Sequence, residues 1–325
     1  MDNIIIVNDL NAGYMLRKGY IKAVNNVKLD IKSKEIIGIV GESGCGKSTL
    51  IRVIYGHIEP PLKVLKGNVI YVDQDGKSHN IVPAERDFLE KHIWWKKISW
   101  IPQAAQNIFN PLIKVYTHFE ETLKAHGYRN IEEKESREMI AKHVKTLGLP
   151  SEILDSYPHQ LSGGMKQRVA IALATILHPK VVLADEPTSA VDVVVQKAIL
   201  QLFERLRNDM EMTIVIVSHD IQMLSVITDR MAVMYAGEII EVSNTKELFE
   251  EPLHPYTKAL ITSTPKLGMK EGIKGLPGQP PDLLNPPPGC KFHPRCPYVR
   301  DRCRSEDPPM TRVNDRSVKC WIYSG

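Results

Sequence analysis

The sequence has no long hydrophobic run. Its longest apolar stretches, such as Thr213 to Val217, have the length of one β-strand, whereas a membrane-spanning helix needs about 20 apolar residues. The first residues also lack a basic segment followed by an apolar core, so we expect no signal peptide. These two absences predict a soluble protein that can still act on a partner in a membrane.

Neither sign of charge dominates the sequence. Its 42 Lys and Arg residues nearly balance 38 Asp and Glu residues, which leaves a net charge of +4. This balance gives no indication of a nucleic-acid partner. One run, Lys91 to Lys97, is basic and contains two tryptophans. Because the run is short and isolated, it favours a partly buried amphipathic turn over a nucleic-acid patch, and we expect no nucleic-acid partner.

Cysteine is scarce, with five residues in a chain of 325. The number is odd, and one of the five lies in a glycine-rich loop, which argues against a secreted disulfide scaffold. A reducing cytosol is therefore the expected setting. The chain is long enough for a sizeable core and for two domains.

The most informative stretch lies between an apolar strand and a helix near the start of the chain. Residues 36–40 are apolar, as expected of a buried strand, and residues 50–54 have a helical pattern. Between them, residues 41–48 have the spacing G-x-x-x-x-G-K-S of a phosphate-binding loop. Glycines allow backbone N–H groups to converge on phosphate oxygens, and a helix N-terminus adds partial positive charge. The predicted nucleotide ligands are Gly41, Glu42, Ser43, Gly44, Cys45, Gly46, Lys47, Ser48 and Thr49.

Two side chains of this loop suit the chemistry of a nucleoside triphosphate. Lys47 would reach the β- and γ-phosphates, and the Ser48 hydroxyl would ligate Mg²⁺. An ordinary glycine turn is the alternative, but the flanking strand and helix favour the phosphate-binding loop. An aromatic residue in the segment 14–20 would stack on an adenine ring, unless it is simply a surface tyrosine. The sequence therefore predicts binding of a nucleoside triphosphate with Mg²⁺.

Two later apolar strands end in polar residues. Asp185 and Glu186 close the strand that begins at Val181, and His219 follows the strand 213–217. Residues at the carboxyl ends of parallel strands face the ligand crevice of an α/β sheet. Asp185 would hold Mg²⁺ through water and Glu186 would act as a base toward the γ-phosphate. A structural role is the alternative for His219.

The remaining pattern predicts further elements. We expect irregular structure over residues 57–98, a strand at 98–101, a helical subdomain at about 104–178, a helix at 193–209 and a strand at 231–235.

Two local signals lie inside the helical subdomain. Asn130 and Glu133 resemble a capping box at the start of a helix, which Gly148 would end. Ser162, Gly163 and Gly164 precede a nearly all-apolar helix and form a second potential anion cradle.

Taken in this order, the motifs resemble the ATP-binding subunits of ABC transporters. The resemblance covers about residues 3–245 and includes the phosphate loop, Gln103, the segment Leu161 to Gln167, the Asp185-Glu186 strand end, the segment Ser189 to Asp192, and His219. One departure is a valine at position 191, where the family usually has leucine. The fold implied is an α/β P-loop NTPase core with an antiparallel β subdomain, a helical subdomain and a small C-terminal cysteine-containing extension.

The resemblance also implies roles for individual residues. Gln103 would sense the γ-phosphate and couple to the membrane subunit, Glu186 would polarise the attacking water, and His219 would contact the γ-phosphate. Two such domains close head to tail, so Ser162, Gly163 and Gly164 would serve the nucleotide of the partner, and Asp192 would lie in the dimer seam. Tyr14 aligns best with the adenine-stacking aromatic, with Tyr20 in reserve. Ser48, Gln103 and Asp185 would hold Mg²⁺.

The chain beyond residue 250 resembles oligopeptide/dipeptide importers. The segments that carry this resemblance are Glu251 to Leu260 and Gly289 to Pro297. It implies a nucleotide-binding domain at 1–250 and an extension at 251–325. Within this extension, the Pro- and Gly-rich composition of residues 265–288 predicts an extended linker. The implied assembly contains a second ATPase, usually a sister chain, two membrane permeases and an extracytoplasmic binding protein. The chain would be peripheral, on the cytoplasmic face of the membrane.

There are three alternatives to peptide import, and the sequence argues against the second and the third. Relatives of this subfamily also carry oligosaccharides or metal complexes. A soluble ABC ATPase acting on DNA or ribosomes usually has two cassettes or a long coiled coil, and this sequence shows neither. A regulatory module that senses redox state or metal would need a damaged ATP site, and the motifs here are intact.

Four cysteines, Cys290, Cys296, Cys303 and Cys320, lie in 31 residues near the end of the sequence, with the spacing C-x5-C-x6-C-x16-C. Four thiolates suit a [4Fe–4S] cluster, which the resemblance favours. Structural zinc usually has closer cysteine pairs and is the first alternative, and plain thiols in a small cap are the second. His293 is a possible substitute ligand. Because the segment has few large apolar residues, a metal would help to stabilise it.

Overall fold

The computed structural model describes residues 2–189, 191–263 and 278–324. These residues form two compact units, one built from residues up to 86 and from 217 onward, the other from residues 87–216. Most of the predicted linker, residues 265–277, and Ala190 of the segment 189–192 lie outside the described residues.

In chain order the strands are β1 (Asn3–Leu16), β2 (Gly19–Lys32), β3 (Ile36–Val40), β4 (Leu62–Val72), β5 (Ser78–Val82), β6 (Ile98–Ile101), β7 (Val181–Asp185), β8 (Thr213–Ser218), β9 (Arg230–Tyr235), β10 (Glu238–Asn244), β11 (Met310–Val313) and β12 (Arg316–Lys319). The α-helices are α1 (Lys47–Tyr55), α2 (Arg86–His92), α3 (Val115–Ala125), α4 (Glu133–Thr146), α5 (Gly163–Thr175), α6 (Val193–Met210), α7 (Ile221–Leu224), α8 (Thr245–Glu250), α9 (Pro255–Thr262) and α10 (Asp301–Ser305).

The first unit contains an antiparallel sheet in the order β2-β1-β4-β5. The expected antiparallel subdomain is thus present. The prediction of irregular structure over residues 57–98 is wrong, because β4, β5, α2 and the start of β6 fall in this range. Gly67 lies inside β4 at φ 92, and Leu65 is exposed, so the strand lacks the regular alternation by which a half-buried strand is recognised.

A second sheet of the same unit has the order β11-β12-β10-β9-β3. All five residues of β3 are buried, as its apolar sequence predicts, and β3 pairs in parallel with β9. At the other side, β12 pairs antiparallel with β10 through Val318 opposite Glu241. The last strands of the chain therefore extend a sheet that begins with β3. The proposed domain boundary at residue 250 stays a prediction.

The second unit contains the parallel pair β6 and β7 and the helices α3 to α6. Helix α6 and strand β8 match the predicted helix and strand closely. The capping-box prediction is wrong: α4 begins at Glu133 behind Glu132, which makes no side-chain cap bond. The turn is instead tied by Ser136, whose hydroxyl bonds the Glu133 carbonyl and Tyr116.

The basic and aromatic run 91–97 forms the end of α2 and a turn. Ile93 is fully buried in it, and Lys91 pairs with Asp87 one helical turn earlier. The interpretation as a partly buried amphipathic turn is confirmed. Among the described residues, no helix has both the length and the apolarity needed to cross a bilayer.

Candidate functional site

The phosphate loop connects β3 to α1 and is closely packed against its surroundings. A side chain at Gly46, which has φ 108, would place its Cβ 1.9 Å from the Ala23 carbonyl oxygen. A side chain at Gly41 would place its Cβ 2.1 Å from the Met234 carbonyl oxygen. Both distances exclude any residue except glycine, so the strands behind the loop enforce its shape.

Lys47 lies inside the loop rather than in solvent. Its side chain is buried, and its Nζ donates to the carbonyl oxygens of Gly41 at 2.8 Å and Glu42 at 2.9 Å. Phosphate oxygens are stronger acceptors for an ammonium group than neutral carbonyls, because both partners are then charged. The loop thus holds its lysine ready to exchange carbonyl oxygens for a phosphate.

Tyr14, the candidate adenine-stacking residue, lies beside the loop. Its hydroxyl is 3.1 Å from the Thr49 hydroxyl. Tyr20 has a hydroxyl that is buried and unpartnered, and burial raises the pKa of this hydroxyl. Tyr14 is therefore linked to the loop by a hydrogen bond, and its stacking role stays a prediction.

Glu42 is bound by residues far away in the sequence. Its carboxylate accepts two bonds from the Arg295 guanidinium, Nη1 to Oε2 at 2.7 Å and Nη2 to Oε1 at 3.0 Å. Its backbone N–H donates to the Tyr256 hydroxyl at 2.9 Å. Sequence reasoning missed both partners, because no local pattern relates residues more than 200 positions apart.

Two of the three predicted catalytic residues, Gln103 and Glu186, belong to the second unit, as does Asp185, a predicted Mg²⁺ ligand. Asp185 ends β7 and is 2% exposed. Glu186 follows it with φ 48, in the left-handed region that non-glycine residues seldom occupy and that often marks functional sites. Gln103 Nε2 donates to Glu186 Oε2 at 3.4 Å. The structure thus brings Gln103 and Glu186 together, while His219 follows β8 as an exposed residue of the first unit.

The segment 161–167 forms the exposed start of α5. Ser162 is the N-cap and accepts a bond from the Met165 N–H. A Cβ at Gly163 would meet no atom within 4 Å. A Cβ at Gly164 would lie 2.5 Å from Val195, a residue of α6 whose N–H donates to the Asp192 carboxylate at 2.9 Å. The segment and Asp192 therefore lie close together and share an exposed surface.

The four C-terminal cysteines line one small cavity of about 10 Å³ in the first unit, together with His293. None of them forms a disulfide. Burial, reinforced by the neighbouring thiols, raises the pKa of Cys290 to about 12. In the described part of the chain, no three His, Cys, Asp or Glu residues are arranged to hold a metal ion. The four thiols thus line one cavity together, without a recognisable metal-binding arrangement among the described residues.

Two family models match the chain. The model of the ABC transporter family matches residues 24–189, and that of the oligopeptide/dipeptide transporter C-terminal region matches residues 240–303. The first covers the phosphate loop, Gln103, the segment 161–167 and Glu186. The second covers Tyr256 and Arg295, the two partners of Glu42.

Relatives of similar length match nearly the whole chain. The dipeptide transport ATP-binding protein DppD of Caldanaerobacter subterraneus is 43% identical over 99% of this chain and 98% of its own. The DppD of Bacillus subtilis is 36% identical over 99% of this chain and 95% of its own. Among solved structures, the ATP-binding cassette MJ0796, a dimer bound to ADP and phosphate, has a TM-score of 0.64 and 29% identity, covering 74% of this chain and 98% of that one.

Proposed function

Since the chain belongs to the ATP-binding proteins of ABC transporters and is an ATPase of that class, we propose that its ATP hydrolysis drives the import of dipeptides or oligopeptides. The observation that carries this proposal is the coexistence of an intact phosphate loop with the C-terminal region of peptide transporters. In this role the chain is a peripheral subunit on the cytoplasmic face of the cell membrane.

The proposed chemistry is attack of water on the γ-phosphorus of ATP. A phosphorus–oxygen bond forms to the water, and the bond to the bridging oxygen breaks, which releases ADP and phosphate. Glu186 accepts the proton of the water and Gln103, its hydrogen-bonded neighbour, orients the reacting groups. Lys47 and His219 bind the γ-phosphate. The oxygen ligands of Ser48 and Asp185 suit Mg²⁺, which would neutralise phosphate charge.

A second ATPase subunit completes each site in this proposal. The segment 162–164 offers a helix N-terminus to a nucleotide held by the partner, with Ser162 and Gly163 exposed and open space around Gly163. Val193 and Val194, next to Asp192, are 78% and 80% exposed, which suits a surface that another chain covers. A sister chain, two permeases and an extracytoplasmic binding protein complete the proposed importer.

We propose further that the four cysteines hold a [4Fe–4S] cluster, with zinc as the alternative. The lining of one cavity by four free thiols supports this. In such a cluster each thiolate binds a different iron, so the four sulfur atoms need not converge on one ion. Iron, acid-labile sulfide and zinc, measured on protein purified without oxygen, decide between them. About four irons and four sulfides per chain, with a lower content of both in Cys290→Ser, support the cluster. One zinc per chain or no metal contradicts it.

Peptide import is tested in cells that lack the chain. Uptake of a labelled dipeptide and a labelled oligopeptide is measured with the wild-type chain restored, and separately with Lys47→Met. We expect restored uptake only with the wild type. Unchanged peptide uptake in the deleted strain, with lost uptake of a labelled oligosaccharide or metal chelate, would assign a different cargo to the same motor.

A further inference from the structure

Glu42 of the phosphate loop is held by three side chains. Tyr256 accepts from its backbone N–H, Arg295 binds both oxygens of its carboxylate, and Lys47 donates to its carbonyl oxygen. Two of these three contacts come from the region of the chain that follows residue 240. The first turn of the loop is therefore anchored by the C-terminal part of the protein.

The ion pair between Arg295 and Glu42 is largely removed from water. The Arg295 side chain is 5% exposed and that of Glu42 is 23% exposed. Arg295 also donates to the Tyr235 hydroxyl at 3.4 Å, and its guanidinium lies 5.8 Å from the Tyr235 ring centre. A two-bond geometry at a largely buried guanidinium fixes direction as well as distance. Removal of Arg295 leaves the partly buried Glu42 carboxylate without its partner, so this contact constrains the loop more than a fully exposed pair would.

An aromatic cluster fixes the two residues that hold the loop. The rings of Tyr256 and Tyr235 are 4.6 Å apart between centres, and Phe292 lies 5.5 Å from Tyr256 and 5.3 Å from Tyr235. His254, fully buried, accepts from the Tyr256 N–H. Phe292 is only three positions from Arg295, so the same short segment supports the cluster and supplies the guanidinium.

Nucleotide binding must change one of the three contacts of Glu42. Lys47 leaves the Glu42 carbonyl oxygen when its ammonium turns to a phosphate, and that carbonyl then keeps only the longer bond from the Cys45 N–H, at 3.3 Å. Beside this local bond, the contacts to Tyr256 and Arg295 keep the first turn of the loop in place.

We propose that Arg295 and Tyr256 are positioning residues through which the C-terminal extension holds the phosphate loop in its ATP-binding shape. They do not touch the nucleotide. They set the affinity for ATP by keeping Glu42 in place when Lys47 moves from the Glu42 carbonyl oxygen to a phosphate. Because coupling between two sites is reciprocal, ATP binding would stabilise the extension to the same degree. The inference rests on the proposed function, since it presupposes that the loop binds ATP.

Three variants and a matched control test the proposal. Tyr256→Phe removes only the hydroxyl, Arg295→Lys keeps the charge but not the fork, and Arg295→Met removes both. Arg302→Met is the control, because Arg302 lies in the same extension and contacts Trp321 and Glu306 there. The dissociation constant of a fluorescent ATP analogue and the melting temperature are measured on the same samples.

We expect Arg295→Met to weaken ATP binding by about 10-fold or more and Tyr256→Phe by about 5-fold, within the usual range of coupled sites. Arg295→Lys should fall between Arg295→Met and the wild type, and Arg302→Met should bind like the wild type. The KM for ATP should change more than kcat, the rate at saturating ATP. If all variants bind ATP like the wild type while their melting temperatures fall, the contact is only an anchor and the proposal is overturned. Failure of the wild type itself to bind ATP would instead contradict the proposed function.

A measurement on the unaltered protein covers the case in which Arg295→Met does not fold. Hydrogen exchange of residues 290–296 is compared in the wild-type chain with and without ADP and Mg²⁺. We expect slower exchange with nucleotide, because binding at the loop must stabilise its anchor. Equal exchange, at nucleotide concentrations that protect the loop, would refute the coupling.

Discussion

The phosphate loop and the segment 161–167 both present a glycine-rich turn at the start of a helix, but the chain treats them differently. The loop is packed against carbonyl oxygens behind Gly41 and Gly46, and its lysine and Glu42 are fully engaged. A Cβ at Gly163 would have no atom within 4 Å, and the Ser162 hydroxyl caps its helix by accepting one bond of 3.3 Å from the Met165 N–H. Contacts within the chain fix the shape of the phosphate loop, whereas the segment 161–167, the open segment, leaves Ser162 and Gly163 exposed.

This difference indicates where each site finds its ligand. A site that binds its nucleotide alone must have its shape fixed before the ligand arrives, since ordering it later would cost affinity. A surface that meets a ligand already held by another chain needs access more than rigidity. This contrast supports the proposal that the two turns are the two halves of a site shared between subunits.

The largest effect is expected from a substitution that removes ATP hydrolysis and leaves ATP binding intact. We expect Glu186→Gln to lower the rate of phosphate release by about 100- to 10,000-fold, the usual contribution of a general base. ATP affinity should stay within about 2-fold, because Lys47 and its loop are untouched. Stopped-flow phosphate release and ATP-analogue titration measure the two effects. Glu138→Gln, an exposed helical residue, is the control; turnover of Glu186→Gln at the wild-type rate contradicts the assignment of the base.

The phosphate loop of the isolated chain should lose ATP affinity when its lysine is removed. Lys47→Met removes two hydrogen bonds to loop carbonyls and the ammonium that a phosphate would meet. Charged hydrogen bonds contribute about 1.5–3 kcal/mol each, so we expect ATP binding to weaken by about 100-fold. Isothermal titration with ATP measures the change. Lys166→Met, at the open segment, should leave binding by the single chain unaltered.

The far end of α5, the helix that follows the open segment, packs against a buried histidine whose effect on stability should depend on pH. His143 is 5% exposed, and its Nε2 lies 2.9 Å from the Ala172 carbonyl oxygen on α5. Burial lowers the pKa of His143 from 6.5 to about 4. The unfolded chain therefore binds the proton more readily than the folded chain between these values. This contribution to stability is present above pH 6.5 and falls by up to about 1.4 kcal/mol per pH unit below it.

Urea unfolding of the wild type and His143→Gln between pH 7 and pH 4 isolates this effect. The glutamine variant should lose stability less steeply as the pH falls. Parallel stability curves for the two proteins would show that His143 does not carry this part of the acid sensitivity.

The smallest effect on the single chain is expected at the open segment itself. Gly163→Asp places a carboxylate where the structure leaves space, so stability should change by less than about 0.5 kcal/mol. ATP binding by the single chain should also persist. The added charge would repel the phosphates of a partner's nucleotide, so ATP-dependent association, measured by sedimentation in a Glu186→Gln background, should disappear. Undiminished association would place the segment outside the shared site.

The sequence predicted the parts of the site that are local. Strand β3, the loop and helix α1 follow from 20 consecutive residues, and the buried strand before Asp185 follows from its unbroken apolar run. Strands β4 and β5 were missed although they form an antiparallel hairpin, because neither strand has a strict alternation of buried and exposed residues. Their stability comes from tertiary pairing that local propensity does not express.

The contacts of Glu42 were beyond any sequence argument for a different reason. Arg295 lies 253 positions from it, and an arginine beside a proline and a cysteine has no periodicity to interpret. The same holds for the left-handed φ of Glu186. The Asn130 capping box failed because α4 starts two residues later than its proposed cap would require, behind Glu132.

The bond between Glu42 and Arg295 also orders the events of synthesis. The phosphate loop is made early, but the residue that clamps it follows 253 positions later. At ordinary translation rates this interval is roughly 10 to 50 s. A nascent chain therefore carries its loop unclamped until almost the whole protein has been made, and a chain that stops before Arg295 never acquires the clamp. Only a chain that has been translated nearly to its end therefore contains a fully anchored phosphate loop.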